Sequence, residues 1–185
     1  FGTTAAGVFH YGTTTLNNST PGGKVSFLDG GNFNLTVTTG SMIISGGTNN
    51  YLFGSPSSII YPKGAGTFTV TNDLTVNGIS TTYAAWSDSN SNAIKFNVGR
   101  DVFMSADAQF TVGHTNGQLT FKATRHYTQT NGKLIAQDFD QNTDVDSVVI
   151  GGNFLFNSAT ATDFFKGNRG QGNLIFRTTG SFTIQ

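Results

Sequence analysis

Four of the chain's ten acidic residues fall within nine positions, Asp138-Phe139-Asp140-Gln141-Asn142-Thr143-Asp144-Val145-Asp146. All ten acids are aspartates. Oxygen-bearing side chains recur at every second residue: Asp138, Asp140, Asn142, Asp144 and Asp146. A Ca²⁺ ion, which takes six to eight oxygen ligands, needs such a spacing from a tight loop. A calcium site at these five residues is therefore one expectation, and Ca²⁺ is the only cofactor the chain suggests. The simpler expectation is a strand edge with one solvated acidic face, where water screens the repulsion and Lys133 or a nearby arginine supplies counter-charge.

This pattern resembles the first half of an EF-hand-type loop and departs from such a loop twice. Thr143 stands where the turn needs glycine, and Val149 where a bidentate glutamate belongs. Asn142-Thr143-Asp144 is similar to the N-T-D tripeptide of pectin-cleaving β-helix hydrolases. The adjacent aspartate pair, His-Gly and Arg-x-Lys elements of those enzymes do not follow it. Glycoside cleavage needs two carboxylates flanking the bond, and Asp144 and Asp146 are the available pair. A polysaccharide hydrolase or lyase is thus the alternative to a non-catalytic protein, and no catalytic residue is assigned. His10, His114 and His126 lack metal-ligand spacing. No G-x-S-x-G elbow or phosphate-binding glycine loop occurs. Tyr83 and Trp86, in a polar stretch over 80–92 that reads as a lateral loop, either stack on a sugar or cap the core. Asn17, Asn18 and Asn34 each begin an N-x-[ST] triplet, a glycan acceptor in a secreted eukaryotic or archaeal protein.

The composition narrows the classes further. The chain has 185 residues, no cysteine, a formal net charge of zero and only 11% charged residues. Gly, Thr, Asn and Ser make up 85 of the 185 positions. Without cysteine there is neither a disulfide framework nor a thiolate metal site. Without an excess of Lys and Arg, nucleic acid is not an expected partner. No apolar run reaches the ~18 residues of a membrane helix. The chain opens on Phe1 with neither an initiator Met nor a signal region, so it reads as a processed protein or an excised segment. One domain, 1–185, is expected, with the option that it is a segment of a longer or polymeric assembly.

Any site must be held by β-strands, because β-branched and aromatic residues sit among turn formers. Apolar residues alternate in short runs: Phe33-Leu35-Val37, Phe68-Val70, Ile94-Phe96-Val98, Phe110-Val112, Leu119-Phe121, Val148-Ile150, Phe154-Phe156, Leu174-Phe176 and Phe182-Ile184. Alternate side chains of a strand face opposite ways, so each run has an apolar row and a Thr-rich row. Several runs are followed by another at an offset of six across a sharp break: Phe68 to Leu74, Phe96 to Val102, Val148 to Phe154, Phe176 to Phe182. An even offset keeps the same face inward around a corner. The units themselves recur at 25–28 residues when counted through Phe68, Phe96, Phe121, Val149 and Ile175. That period fits three strands and three corners. The expected fold is all-β, a right-handed parallel β-helix with coils of 25–28 residues; the alternative is an antiparallel β-sandwich or jelly roll. Longer irregular segments are expected over 45–66, 80–92 and 158–172.

Asn97-Val98-Gly99-Arg100-Asp101-Val102-Phe103-Met104-Ser105-Ala106 resembles the repeats of secreted β-helical adhesins, the filamentous-haemagglutinin-like and autotransporter passenger proteins. Gly151-Gly152 with Phe154-Leu155-Phe156-Asn157 is similar to the paired elements of polymorphic membrane protein adhesins. The resemblance spans about half the chain and carries no functional residue across. It implies a secreted or surface-exposed solenoid with a structural or adhesive task. The expected function is thus a non-catalytic extracellular protein that self-assembles into a homo-oligomer or filament through exposed strand edges. Polysaccharide or a cell surface is the expected further partner. A carbohydrate-binding or carbohydrate-cleaving β-helix is the alternative.

Overall fold

The computed structural model describes residues 2–3, 7–18, 24–26, 29–30, 35–46, 49–53, 66–77, 81–87, 93–104, 108–115, 117–137, 145–157, 164–168 and 173–185. The chain winds as a parallel β-solenoid with three sheets. The first holds Gly7–Tyr11, Leu35–Thr39, Gly66–Val70, Ile94–Val98, Leu119–Ala123, Val145–Ile150 and Asn173–Thr178, stacked in chain order. The second holds Thr14–Asn18, Met42–Gly46, Leu74–Asn77, Val102–Met104, Tyr127–Thr130, Phe154–Asn157 and Phe182–Ile184. The third holds Lys24–Ser26, Asn49–Phe53, Thr81–Ser87, Gln109–Thr115, Lys133–Gln137 and Phe164–Asn168. A short pair, Gly2–Thr3 with Asp29–Gly30, completes the strands described. Every strand pair is parallel, which excludes the antiparallel sandwich and jelly roll. No helix among the described residues is long and apolar enough to cross a membrane.

The alternation builds the core directly. In the first sheet Val37, Phe68, Phe96 and Phe121 lie in register and are fully buried, one above another. Phe68 and Phe96 stack with centroids 4.9 Å apart and planes 6° from parallel, and Phe96 stacks on Phe121 at 5.7 Å. In the second sheet Tyr127, Phe154 and Phe182 form a similar pile, at 5.1 and 4.8 Å. Each aromatic pair adds about 0.5–1.5 kcal/mol beyond its buried area. Strands 4.7–4.9 Å apart place equivalent side chains at this stacking distance automatically. A phenylalanine-rich sequence therefore suits a solenoid.

The register corrects the coil count by one residue. Phe121 pairs with Val148, and Val148 with Phe176. Val149 and Ile175, used above for the spacing, are outer-face residues; Ile175 is 42% exposed. The inward residues follow one another at 28, 25, 27 and 28 positions from Phe68 to Phe176. Three expected loops are also partly strand. Asn49–Phe53 lies within 45–66, Thr81–Ser87 within 80–92 and Phe164–Asn168 within 158–172. Each is the third-sheet strand of its coil. Their polar composition hid a pairing that depends on neighbours above and below.

Candidate functional site

Of the five proposed calcium ligands, Asp138, Asp140, Asn142 and Asp144 lie outside the described residues, as does Asn34. Asp146 is not on a solvated face: it is fully buried, in an inward row where Leu174 is its neighbour. Its Oδ1 accepts the Leu119 N–H at 2.6 Å, while Gln118 Nε2 donates to the Val145 carbonyl at 3.3 Å. These side chains extend the inter-coil hydrogen bonding past the first paired residues, Thr120 and Ser147. Among the described residues no group of three His, Asp or Glu side chains is placed to hold a metal ion. Tyr83 and Trp86 are strand residues rather than loop residues. Tyr83 is registered between Tyr51 and Thr111, and Trp86 beside His114. Asn17 is exposed on the second sheet, and Asn18 follows it in the same strand.

The corner between the first and second sheets is the most ordered polar feature. Its breaks, 71–73, 99–101, 124–126, 151–153 and 179–181, lie over one another. Backbone bonds run coil to coil through the corner itself, as in Asn72 N–H to Gly40 O, Arg100 N–H to Asn72 O and Arg125 N–H to Arg100 O. The third position of each break adds a side-chain ladder. Asp73 accepts the Asp101 N–H at 3.1 Å, Asp101 that of His126 at 3.0 Å, His126 Nδ1 that of Asn153 at 2.9 Å, and Asn153 that of Ser181 at 3.0 Å. Three different residue types thus perform one task, accepting the amide of the coil above. Arg100 and Arg125 fold back onto Asp73 and Asp101 at 3.5 and 3.2 Å. Both arginines are about half exposed, so each pair contributes at most about 1 kcal/mol. The offset of six already held this signal, because it isolates the third position of each break.

A second polar device sits inside the core. Tyr127 and Gln129 are both buried, and the Tyr127 hydroxyl donates to Gln129 Oε1 at 2.6 Å. Gln129 Nε2 donates in turn to the Asn131 carbonyl at 3.1 Å, with the Ala108 carbonyl at 3.5 Å. Asn131 and Gly132 take φ of 64° and 85°, the left-handed region that Asn and Gly tolerate best. A Cβ on Gly132 would collide with the Ala108 carbonyl oxygen. The pair therefore holds the turn that carries the chain into the third sheet at Lys133. Burial pushes the Tyr127 hydroxyl well above the usual tyrosine range.

The outer faces differ in charge. Lys95, Lys122 and Arg177 project from the first sheet. The second sheet's outer face carries no charged residue among the described ones. Its central row reads Thr15, Ile43, Thr75, Phe103, Thr128, Leu155 and Thr183, one residue per rung in register. Hydroxyl and apolar side chains alternate along the axis. Phe103 is 42% and Ile43 37% exposed. Beside this row run Asn17, Ser45, Asn77, Thr130, Asn157 and Gln185. A shallow depression lined by Thr128, Leu155 and Thr183, with His126, Asn153 and Ser181 from the corner, opens on the same side. Motif reading passes over such a row, whose members stand one residue past the first inward residue of each second-sheet strand.

No family model matches the chain. The curated proteins and the solved structures contain no significant match to it either.

Proposed function

We propose that the chain is a non-catalytic structural and adhesive solenoid of the cell exterior that assembles by extending its own coil-to-coil stacking into neighbouring copies. The observation that carries this reading is the stacking itself: within each sheet the strands pair in parallel, rung on rung, and the inward rows stay apolar from coil to coil. A parallel edge of this kind is a template for another strand of the same kind, whether from a further coil or from a neighbouring copy. Phe182 and Ile184 hold the inward positions of the outermost described rung of the second sheet. Strand-by-strand addition from a copy gives a heterologous, head-to-tail contact, which grows as a fibre.

The described carboxylates point the same way. Asp73, Asp101 and Asp146 each accept a backbone N–H from an adjacent coil, so their chemistry is spent on stacking. The resemblance to surface adhesins and the low charge support an extracellular setting.

Electron microscopy and sedimentation of the 185-residue chain test the proposal. Filaments, or oligomers that lengthen with concentration, are expected, and Phe182→Asp should return the protein to short species. A monodisperse monomer at high concentration would overturn it.

A further inference from the structure

The outer row of the second sheet has an order that packing does not require. Solvent-facing positions on a strand accept most polar or β-branched residues at little cost, usually within about 0.5 kcal/mol. Yet Ile43, Phe103 and Leu155 occupy alternate rungs, and Thr75, Thr128 and Thr183 the rungs between and above them. From the Ile43 rung onward the corner shares this two-rung period. Gly40, Gly99 and Gly151 open the breaks of the Ile43, Phe103 and Leu155 rungs, and Thr71, Thr124 and Thr179 those of the Thr75, Thr128 and Thr183 rungs; the Thr15 rung opens on Gly12 and lies outside the pattern.

At the corner the alternation has a steric cause. Thr71 Oγ1 donates to the Gly40 carbonyl below it at 3.1 Å, and Thr179 Oγ1 to that of Gly151. A Cβ on Gly99 or Gly151 would collide with the Thr71 or Thr124 carbonyl oxygen. The outer row lies beyond those contacts, so its matching phase must have another origin.

Dimensions and charge narrow what could read it. Rungs about 4.8 Å apart put the apolar side chains about 9.6 Å from each other. Seven rungs make a strip about 29 Å long, and strands of three to five residues make it roughly 10–16 Å wide. That is about 400 Å², half of the ~800 Å² each partner contributes to a stable protein interface. The strip is too narrow for a second globular copy and suits an extended chain. Among its described residues it offers an anionic or cationic polymer no charge to pair with. It does offer hydroxyl and amide groups between apolar patches, the two features that a sugar chain presents as its hydroxyl edges and C–H faces. The depression beside Thr128, Leu155 and Thr183 adds a concave rim with the His126 and Asn153 side chains.

We infer that this face binds a neutral polysaccharide laid along the solenoid axis, with Ile43, Phe103 and Leu155 each under an alternate sugar and the intervening threonines and flanking asparagines hydrogen-bonding its hydroxyls. The inference does not depend on end-to-end assembly.

Titration calorimetry with cellohexaose, chitohexaose and mannohexaose tests it, with hexagalacturonate as the anionic comparison. At least one neutral hexasaccharide should bind at millimolar concentration or better, without weakening as salt is raised. The double variant Phe103→Asp/Leu155→Asp should weaken binding about tenfold or more, a loss of ~1.4 kcal/mol. Lys122→Ala, on the first sheet, should leave it unchanged. Phe103→Ser is the milder variant if the double one does not fold. Four results would overturn the inference: no binding to any of the three neutral probes, binding to hexagalacturonate alone, binding retained in the double variant, or an oligomer that the double variant disperses. The last would make the face a contact between copies. Running the titrations on Phe182→Asp as well separates this outcome from a failure of the assembly proposal.

Discussion

The Tyr127–Gln129 pair allows the sharpest test of how the core is held. Tyr127→Phe removes one hydroxyl and little volume. It leaves Gln129 Oε1 buried without its 2.6 Å donor, a loss of about 1–3 kcal/mol. Gln129→Met keeps the length of the side chain and strands the buried Tyr127 hydroxyl, while the half-buried Asn131 carbonyl loses the 3.1 Å Nε2 donor. Its cost should be about 1–3 kcal/mol on the same basis. The double variant removes both ends of the Tyr–Gln bond together, so its cost falls short of the sum by roughly 1–2 kcal/mol. For a chain of this size each kcal/mol lowers the melting temperature by about 2–4 °C. Urea unfolding of the wild type and three variants gives the complete cycle.

Alkaline pH supplies an independent readout. Unfolded tyrosine releases its proton near pH 10, whereas burial holds the folded Tyr127 hydroxyl protonated well above that. Below pH 10 both states keep the proton and the group adds no pH dependence. Above it the unfolded state alone ionises, so stability falls by up to about 1.4 kcal/mol per pH unit. Tyr127→Phe should lack that part of the slope. Additive single variants, or identical alkaline slopes in wild type and Tyr127→Phe, would refute the buried bond.

Two further substitutions probe the stacking bonds. His126→Ala should cost about 1 kcal/mol by removing the acceptor of the Asn153 N–H, and His126→Asn should recover most of it, since Asn153 fills the same role one coil up; thermal melts of both decide. Asp146→Leu should cost about 1–3 kcal/mol by stranding the Leu119 N–H, whereas Asp146→Asn keeps an acceptor and should cost less, which equilibrium denaturation would read.

The fold was legible because its determinants are local. Alternation at Ile94-Phe96-Val98 dictates an inward face, and the step of six to Val102 carries that face around the corner. Three of the third-sheet strands, Asn49–Phe53, Thr81–Ser87 and Phe164–Asn168, were not legible, whereas Gln109–Thr115 showed itself in the Phe110-Val112 run. Thr81–Ser87 and Phe164–Asn168 sit in polar sequence, and what makes them strands is a partner a coil away. Asp146 misled for a related reason. Its spacing matched an acidic loop, but the period-two pattern of Val145–Ile150 already placed it with Val148 and Ile150 on the inward side, where a carboxylate needs a donor.

The two-rung period was hidden by unequal coil lengths. Ile43 and Phe103 are 60 residues apart and Phe103 and Leu155 52, though in space each interval is two rungs. Segments between the strands absorb the difference while the backbone ladders keep the stacking strict, so register is a property of the rungs and not of the sequence count. The same tolerance appears at the corner, where Asp, His and Asn serve interchangeably because the ladder asks only for an acceptor at one height. A chain can therefore drift in residue type and coil length without losing a rung. An outward row that nevertheless keeps its alternation, on a face where no neighbouring coil demands it, is under a constraint from outside the stack. The hexasaccharide titrations ask what that constraint is.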